Sequence, residues 1–348
     1  MTRNRQSNIE LLRIFAMLAI VAGHFVTQSA VGHTSGASGT VATILSSGTR
    51  ISVNLFLLAG CWFMVDAKFK AERLLKLYLE LALYTIPLTA LMFVFGVHGE
   101  TRNLVQGFLP FFGRPAWFAT AYISLIVIAP FLNFAFRLSD FAQRTLIGAL
   151  VFIFVIVTTI PSYTPFHYLG DFAWFPVVYL LVGCAKRTHL TNILPGAGIS
   201  LATGLLGWCV LTSARLNPST TWAAGYWLDN IQSLPNITIS ILIFNAFRRI
   251  NLGSISIINS LASSTFAVYI IHQVPAFRTF EWNVVFRAET LAHASPILLA
   301  LAIPGVCVTV FLAASIIDRL YRRPLQAFLE KTALFQKLMT RIESFYRL

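Results

Sequence analysis

Charged residues are scarce in this chain. Only 11% of its 348 residues are Asp, Glu, Lys or Arg, whereas soluble domains contain about 25%. Apolar residues make up 57% of the sequence, and the mean hydropathy is +0.73. A soluble protein of this length needs a charged surface, and this sequence has too few charged residues to build one. The composition therefore excludes a soluble globular protein and indicates a surface that faces membrane lipid.

Acidic residues are the scarcer of the two charged classes. The sequence has 13 of them against 26 lysines and arginines, so its net charge is +13. The basic residues are concentrated in short breaks between apolar runs, which is typical of the loops of membrane proteins. Binding to nucleic acid would instead require a basic face on a soluble domain. The sequence therefore predicts no nucleic-acid partner.

Several chemical motifs are also missing from the sequence. Its four cysteines lie inside apolar runs, and no two of them have the spacing of a metal or redox site. A phosphate-binding glycine loop and a serine-hydrolase elbow are both absent from the sequence. These absences predict no metal cofactor, and they argue against a stand-alone hydrolase or an ATP-driven pump.

Apolar runs of the length that crosses a bilayer, about 20 residues, recur along the chain. They predict an all-α, polytopic transmembrane helical bundle of about ten spans, which fills a transmembrane domain over residues 1–318. Residues 319–348 are predicted to form a cytoplasmic amphipathic tail, and Gly32–Leu45 and Ala214–Asp229 to form the longest loops. The predicted spans are Ile9–Gln28, Ser46–Val65, Leu77–Val97, Trp117–Phe136, Leu146–Pro161, Tyr168–Cys184, Gly196–Ser213, Ile231–Phe247, Leu261–Phe280 and Pro296–Ile317.

The placement of basic residues supports this arrangement. If the N-terminus is cytoplasmic, the inner segments hold 19 of the 26 lysines and arginines and the outer segments hold 6. The remaining one, Arg13, lies inside the first span. Cytoplasmic loops of membrane proteins carry such an excess of positive charge. We therefore expect an even number of spans, with both termini in the cytoplasm.

The first span contains three ionisable residues, Glu10, Arg13 and His24. Charged groups inside a membrane are costly, and they commonly face a partner or a functional cavity. Eleven helical steps return to within about 20° of the starting direction, so Arg13 and His24 share one helix face about 16 Å apart along the axis. Glu10 precedes Arg13 by three residues, which favours an ion pair. A structural role remains open, with Arg13 anchoring the helix at the inner interface and His24 packing.

Three later segments add candidate residues for a substrate site. Arg50 and Asn54 enter the outer half of the second span, and Arg114 and Trp117 precede and begin the fourth. Each is also explained by an interfacial anchor or by one polar contact between helices.

The third segment is Tyr269 to His272 in the ninth span, where two polar rings lie three residues apart and share a helix face. Hydrogen bonding between helices is the alternative explanation for this pair.

These segments, in this order, resemble the acyltransferase 3 family of membrane O-acyltransferases. The resemblance covers nearly the whole chain, and it begins with Asn8-Ile-Glu-Leu-Leu-Arg13 and the ten residues between Arg13 and His24. It continues through Val53–Gly60, Trp117–Pro130 and Tyr269–His272. The resemblance implies a multi-pass enzyme of about ten core helices. It also implies transfer of an acyl group, commonly acetyl, from coenzyme A to a hydroxyl of a surface glycan, with His24 as the catalytic histidine and Arg13 as its motif partner.

The ionisable residues of the first span and the family resemblance together imply a reaction scheme. Acetyl-CoA is the expected acyl donor, and Arg13 with Arg73 and Lys76 is expected to bind its phosphates. His24 is expected either to take a proton from the acceptor hydroxyl or to carry the acyl group itself. The expected acceptor is a cell-surface or lipid-linked glycan.

A transporter or flippase for a lipid-linked glycan is the alternative function, since it would share the multi-span architecture. We expect a multi-pass protein of a bacterial plasma membrane, and the sequence predicts no oligomeric state.

Overall fold

The computed structural model of the chain describes residues 6–65, 67, 70–97, 101–109, 116–160 and 170–346. Every regular element within these ranges is helical. The chain divides into two compact units. The first comprises residues 1–67, 131–263 and 288–307, and the second comprises residues 68–130, 264–287 and 308–348. The predicted all-α class is confirmed.

The helices are numbered in chain order, and those that lie in or begin in the first unit come first. They are α1 (Ser7–Thr27), α2 (Gly36–Ser46), α3 (Thr49–Met64), α7 (Asp140–Val151), α8 (Val157–Thr159), α9 (Gly170–Arg187), α10 (Ala197–Leu216), α11 (Thr221–Asp229), α12 (Leu234–Arg249), α13 (Ser256–Ala262), α16 (Ala288–Ala292) and α17 (Pro296–Ile317). Those of the second unit are α4 (Ala71–Val94), α5 (Thr101–Phe108), α6 (Trp117–Leu132), α14 (Thr265–Ile271), α15 (Pro275–Phe280), α18 (Arg323–Leu329) and α19 (Ala333–Tyr346). Short 3₁₀ or π segments link several of them, at Ala30–His33, Asn133–Arg137, Phe152–Ile156, Leu190–Asn192, Glu281–Val285 and Asp318–Arg322.

Seven helical segments among the described residues are long and apolar enough to cross a membrane. A bent pair, Ser256–Ile271 with Pro275–Val285, makes an eighth if its two arms form one span, and the arms meet at 90°. The seven are Ser7–Thr27, Gly36–Met64, Glu72–Val94, Trp117–Arg137, Asp140–Thr159, Ala197–Leu216 and Pro296–Leu329. The chain is therefore a multi-pass membrane protein by helix length and composition.

The other two predicted spans are also helices, although they are less suited to crossing a bilayer. Helix α9 has 18 residues and includes Asp171, Lys186 and Arg187, and α12 has 16 residues, below the length of about 20 that a bilayer requires. The predicted boundaries at Pro161 and Tyr168 lie outside the described residues.

The two segments predicted as long loops are largely helical, and that part of the prediction is wrong. Helix α2 occupies most of the first segment, and α11 occupies the second half of the other. In α11 the small and apolar residues Ala224 and Leu228 lie four positions apart and are both 1% exposed. This spacing places them on one helix face, so a short helix can bury them where a loop would leave them in solvent.

Helices α1 and α3 pack closely in the first unit, which positions the candidate site. A Cβ atom added at Gly23 in α1 would lie 1.7 Å from Oγ1 of Thr49 at the start of α3. Ten residues earlier in α1, Arg13 lies over the ring of Phe56 in α3. The two contacts run in opposite chain directions, so the helices are antiparallel. Small residues allow this approach in lipid, where packing replaces the hydrophobic effect as the main attraction between helices.

A buried carboxylate organises the second unit. Asp318 is 0% exposed and accepts hydrogen bonds from the Tyr84 hydroxyl at 2.7 Å and the Ser264 hydroxyl at 2.8 Å. The guanidinium groups of Arg322 and Arg323 also donate to it. We call these five residues the Asp318 network. They join α4, the start of α14 and the helical segment that follows α17.

Candidate functional site

The polar stripe on α1 is the centre of the candidate site. Nη1 of Arg13 lies 2.9 Å from Oε2 of Glu10, and the two side chains are 28% and 10% exposed. The Arg13 guanidinium carbon lies 5.0 Å from the centroid of the Phe56 ring. The structure thus contains the ion pair expected from the spacing of Glu10 and Arg13, and the arginine is held in place by an acid on one side and an aromatic ring on the other.

His24 lies one turn before the end of α1 and is half-buried. Helix α1 is continuous from Ser7 to Thr27, so His24 and Arg13 share a face and are separated by about 16 Å along the axis. Gly23, directly before His24, allows the first turn of α3 to pack against this end of α1. Arg50 lies in that first turn, half-buried, and pairs with no carboxylate among the described residues. The histidine end of the stripe therefore lies beside the positively charged N-terminal turn of α3.

Asn54 is engaged within the first unit through both ends of its amide. The side chain is 0% exposed. Its Nδ2 donates to the Ile231 carbonyl at 2.8 Å, and its Oδ1 accepts from Nε1 of Trp174 at 2.9 Å. Asn54 thus ties α3 to α9 and to the segment that precedes α12.

The second unit brings together two predicted residues through a third. Trp117 begins α6, and the ring of its neighbour Phe118 lies 5.8 Å from the Trp117 ring and 5.6 Å from the Tyr269 ring. The Phe118 amide also donates to the Tyr269 hydroxyl at 3.2 Å. Arg114, predicted beside Trp117, lies outside the described residues.

His272 lies at the bend between α14 and α15. It is 0% exposed, and its ring centroid lies 6.2 Å from the rings of both Tyr269 and Trp282. Nδ1 lies 2.5 Å from the carbonyl oxygen of Val268. A carbonyl only accepts hydrogen bonds, so Nδ1 carries the proton in the neutral ring and Nε2 is then the acceptor nitrogen. The bend is therefore built around a buried histidine with a fixed tautomer.

The predicted phosphate-binding residues of α4 are arranged differently from Arg13. Arg73 is exposed. Lys76 is bound between two carboxylates, with Glu72 at 2.7 Å and Glu330 at 2.8 Å from its Nζ. Both residues belong to the second unit, whereas Arg13 belongs to the first.

A group of residues in the first unit was missed by the sequence reasoning. Nζ of Lys186 lies 4.1 Å from the ring centroid of Trp62, and the guanidinium carbon of Arg248 lies 5.2 Å from it. We call these three residues the Trp62 cluster. The signal in the sequence was the pair of basic residues that ends α9 and the similar pair that ends α12.

Comparison with known proteins agrees with this description. Residues 6–318 match a family model described as an acyltransferase domain, the acyltransferase 3 model. No curated protein and no solved structure has significant similarity to the chain. The match covers most of the chain and includes the whole of α1 with its polar stripe. The protein therefore belongs to the acyltransferase 3 family of membrane acyltransferases.

Proposed function

We propose that the chain is an O-acyltransferase that moves an acyl group, in the simplest case acetyl, from acyl-coenzyme A to a hydroxyl of a cell-surface or lipid-linked glycan. The observation that carries the proposal is the stripe on α1, where the Glu10–Arg13 ion pair and half-buried His24 lie on one face of a single membrane helix. A membrane span with a purely structural role rarely contains several ionisable groups, because each is costly in lipid.

The two ends of the stripe suit the two halves of the reaction. In the ten-span topology, with both termini in the cytoplasm of a bacterial plasma membrane, Arg13 lies at the end where a cytoplasmic donor arrives. A guanidinium binds phosphate oxygens through paired hydrogen bonds. His24 then lies toward the outer side, where a glycan acceptor is located.

In this proposal His24 acts as a general base. It would take the proton from the acceptor hydroxyl while the hydroxyl oxygen attacks the thioester carbon. The carbon–sulfur bond then breaks, and the coenzyme A thiolate takes the proton back from the imidazolium. The overall products are the glycan ester and free coenzyme A. An acyl-imidazole on His24 gives the same products in two steps. The positive N-terminal turn of α3 and the Arg50 guanidinium would favour the negative charge that develops on the carbonyl oxygen.

Replacement of one histidine tests the proposal. His24→Ala is expected to lower acyl transfer by at least about a hundredfold, the usual contribution of a general base. The measurement is incorporation of labelled acyl groups from acyl-coenzyme A into glycan by membranes that contain equal amounts of each protein. The matched control is His33→Ala, because His33 is exposed and lies just beyond α1. Near-normal transfer by the His24 variant would contradict the catalytic role.

A glycan transporter is the second candidate, and the bent pair Ser256–Ile271 with Pro275–Val285 favours it. Discontinuous helices are common at the substrate sites of transporters. A transporter would move the glycan without changing its mass, whereas acetylation adds about 42 daltons, because an acetyl group of about 43 daltons replaces one hydrogen. Mass analysis of surface glycans with and without the gene distinguishes the two functions.

A further inference from the structure

Helix α19 has a face that the rest of the described chain leaves uncovered. Leu334 and Leu338 lie four residues apart on that face, and they are 69% and 40% exposed. Helix α19 also packs against α4, and its buried residue Phe335 is 8% exposed. The two leucines point about 100° and about 60° away from Phe335 around the helix, so they belong to a different face from the one that is buried.

Two basic residues lie along the same side of α19 as these leucines. Lys337 and Arg341 are also four residues apart, and both are exposed. At about 100° per residue, Arg341 points within about 20° of Leu334, and Lys337 points within about 60° of it. Neither cation forms an ion pair with a carboxylate of the described residues. We call these two leucines and two cations the α19 edge.

The ion pairs of Lys76 indicate where α19 lies relative to the membrane. The membrane-crossing segment of α4 begins at Glu72, and Nζ of Lys76 lies 2.7 Å from Glu72 and 2.8 Å from Glu330. Glu330 comes three residues before the start of α19. Because charged groups are costly in the hydrocarbon core, these three residues belong at the level of the lipid headgroups. Helix α19 therefore begins where α4 enters the bilayer.

A series of hydrogen bonds holds the start of α19 in place. Nη1 of Arg322, in the Asp318 network, donates to Oε1 of Gln326 at 2.9 Å, and Nε2 of Gln326 donates to Oε1 of Glu330 at 2.9 Å. Lys76 then joins Glu330 to α4. The α19 edge is therefore carried by a helix whose start is attached to the second unit, and the fold of that unit sets the direction of the edge.

We infer that the α19 edge binds the membrane surface, with its leucines between lipid acyl chains and its cations on the phosphates of anionic phospholipids. Helices with adjacent apolar and basic rows lie in the plane of the bilayer surface. Leucine side chains alone would suit any lipid, whereas Lys337 and Arg341 meet a net opposite charge only at an anionic headgroup. The inference concerns the membrane and not the substrates, so it is independent of the proposed function.

Amide hydrogen exchange of the full-length protein in nanodiscs tests the inference. One sample contains phosphatidylcholine alone, and the other contains phosphatidylcholine with phosphatidylglycerol, which is anionic. In the unaltered protein, the amides of α19 should exchange at least about fivefold more slowly with the anionic lipid, because each basic residue near a negatively charged surface contributes about that factor. The difference should shrink at high salt, which screens surface charges.

Charge variants assign the effect to the α19 edge. Lys337→Gln combined with Arg341→Gln is expected to abolish the difference between the two lipids. The matched control is Gln336→Glu, which also makes the net charge more negative. Gln336 is exposed and lies about 140° from Arg341 around the helix, so this control should keep the full difference.

Replacement of the leucines separates insertion into the bilayer from the effect of charge. Leu334→Gln combined with Leu338→Gln should speed the exchange of α19 amides at least about fivefold in both lipids, because apolar side chains no longer enter the bilayer. This variant retains both cations, so the anionic lipid should still slow its exchange relative to phosphatidylcholine alone.

Five results would overturn the inference. Equal exchange of α19 in the two lipids, measured on the unaltered protein, removes anionic lipid as the partner. A difference that survives the loss of both cations, or that disappears in the Gln336→Glu control, means that the α19 edge does not cause it. Unchanged exchange after the loss of both leucines means that they do not enter the bilayer. Slow exchange that occurs only in nanodiscs with two copies of the chain assigns the edge to a contact between copies.

Discussion

The Asp318 network and the Trp62 cluster both contain arginines inside a membrane protein, and these arginines have different partners. Those of the network pair with carboxylates, whereas Arg248 of the cluster is held by neutral groups. In the network, two arginines surround one fully buried carboxylate, and Arg322 also pairs with Glu80 at 3.3 Å. In the cluster, Arg248 is held by a carbonyl, an amide oxygen and an aromatic ring. The two arginines of the network therefore face two carboxylates, Asp318 and Glu80, whereas Arg248 lies within ion-pair distance of no carboxylate among the described residues.

This difference separates charges that stabilise the fold from charges that are available to a ligand. A buried ion pair with its hydrogen bonds satisfied has little left to offer to a substrate, and it is costly to break. Cations oriented by neutral groups keep their charge for an external anion. Arg13 combines the two arrangements, because it pairs with the Glu10 carboxylate and also lies over the neutral Phe56 ring.

The largest expected effect is on the network. Asp318→Asn keeps the shape of the side chain but leaves Arg322 and Arg323 without their shared carboxylate, so we expect it to lower the free energy of unfolding by about 3–5 kcal/mol. Thermal unfolding in detergent measures the change. Asp229→Asn is the control, since it breaks an ion pair with Arg215 whose aspartate is 64% exposed, worth less than about 1 kcal/mol. A similar, small change in both variants would mean that the network does not stabilise the second unit.

A smaller effect is expected at Asn54. Asn54→Ala leaves the buried Ile231 carbonyl and the Trp174 indole N–H without their partners, at a cost of about 1–3 kcal/mol for each unsatisfied group. If Asn54 only holds helices together, the folded fraction of the Asn54→Ala protein should have an unaltered KM for the acceptor. Thermal unfolding and acceptor titration, performed on the same preparation, separate the two roles. An increase in KM at unchanged stability would instead assign Asn54 to the acceptor site.

The sequence predicted the elements that depend on local pattern. Long apolar runs place the first predicted span, Ile9–Gln28, within two residues of α1 at both ends, and the predicted last span coincides with α17. The Glu10–Arg13 pair also follows from spacing, because three residues separate neighbours on a helix face. Short amphipathic segments such as α11 were missed, since two buried residues give too weak a periodic signal.

The sequence could not predict contacts between distant segments. Lys186 and Arg248 are 62 positions apart, and they meet only because α9 and α12 both end beside Trp62. In the same way, Glu330 neutralises Lys76 from the far end of the chain. Read as sequence, Lys76 and Arg248 are both basic residues near the ends of apolar runs. Their partners in the folded chain distinguish them, because Lys76 pairs with Glu72 and Glu330, whereas Arg248 pairs with no carboxylate among the described residues.

The smallest expected effect is at Lys76. Lys76→Gln removes a charge that Glu72 and Glu330 already neutralise at 2.7 and 2.8 Å, so coenzyme A affinity should change by less than about twofold, within the range of a screened surface charge. Arg13→Gln, at the donor end of the stripe on α1, should weaken binding at least about tenfold. Both affinities come from one titration series on full-length protein in nanodiscs of zwitterionic lipid. If the Lys76 variant loses more affinity than the Arg13 variant, the donor phosphates bind on α4 and not at the Arg13 end of the stripe.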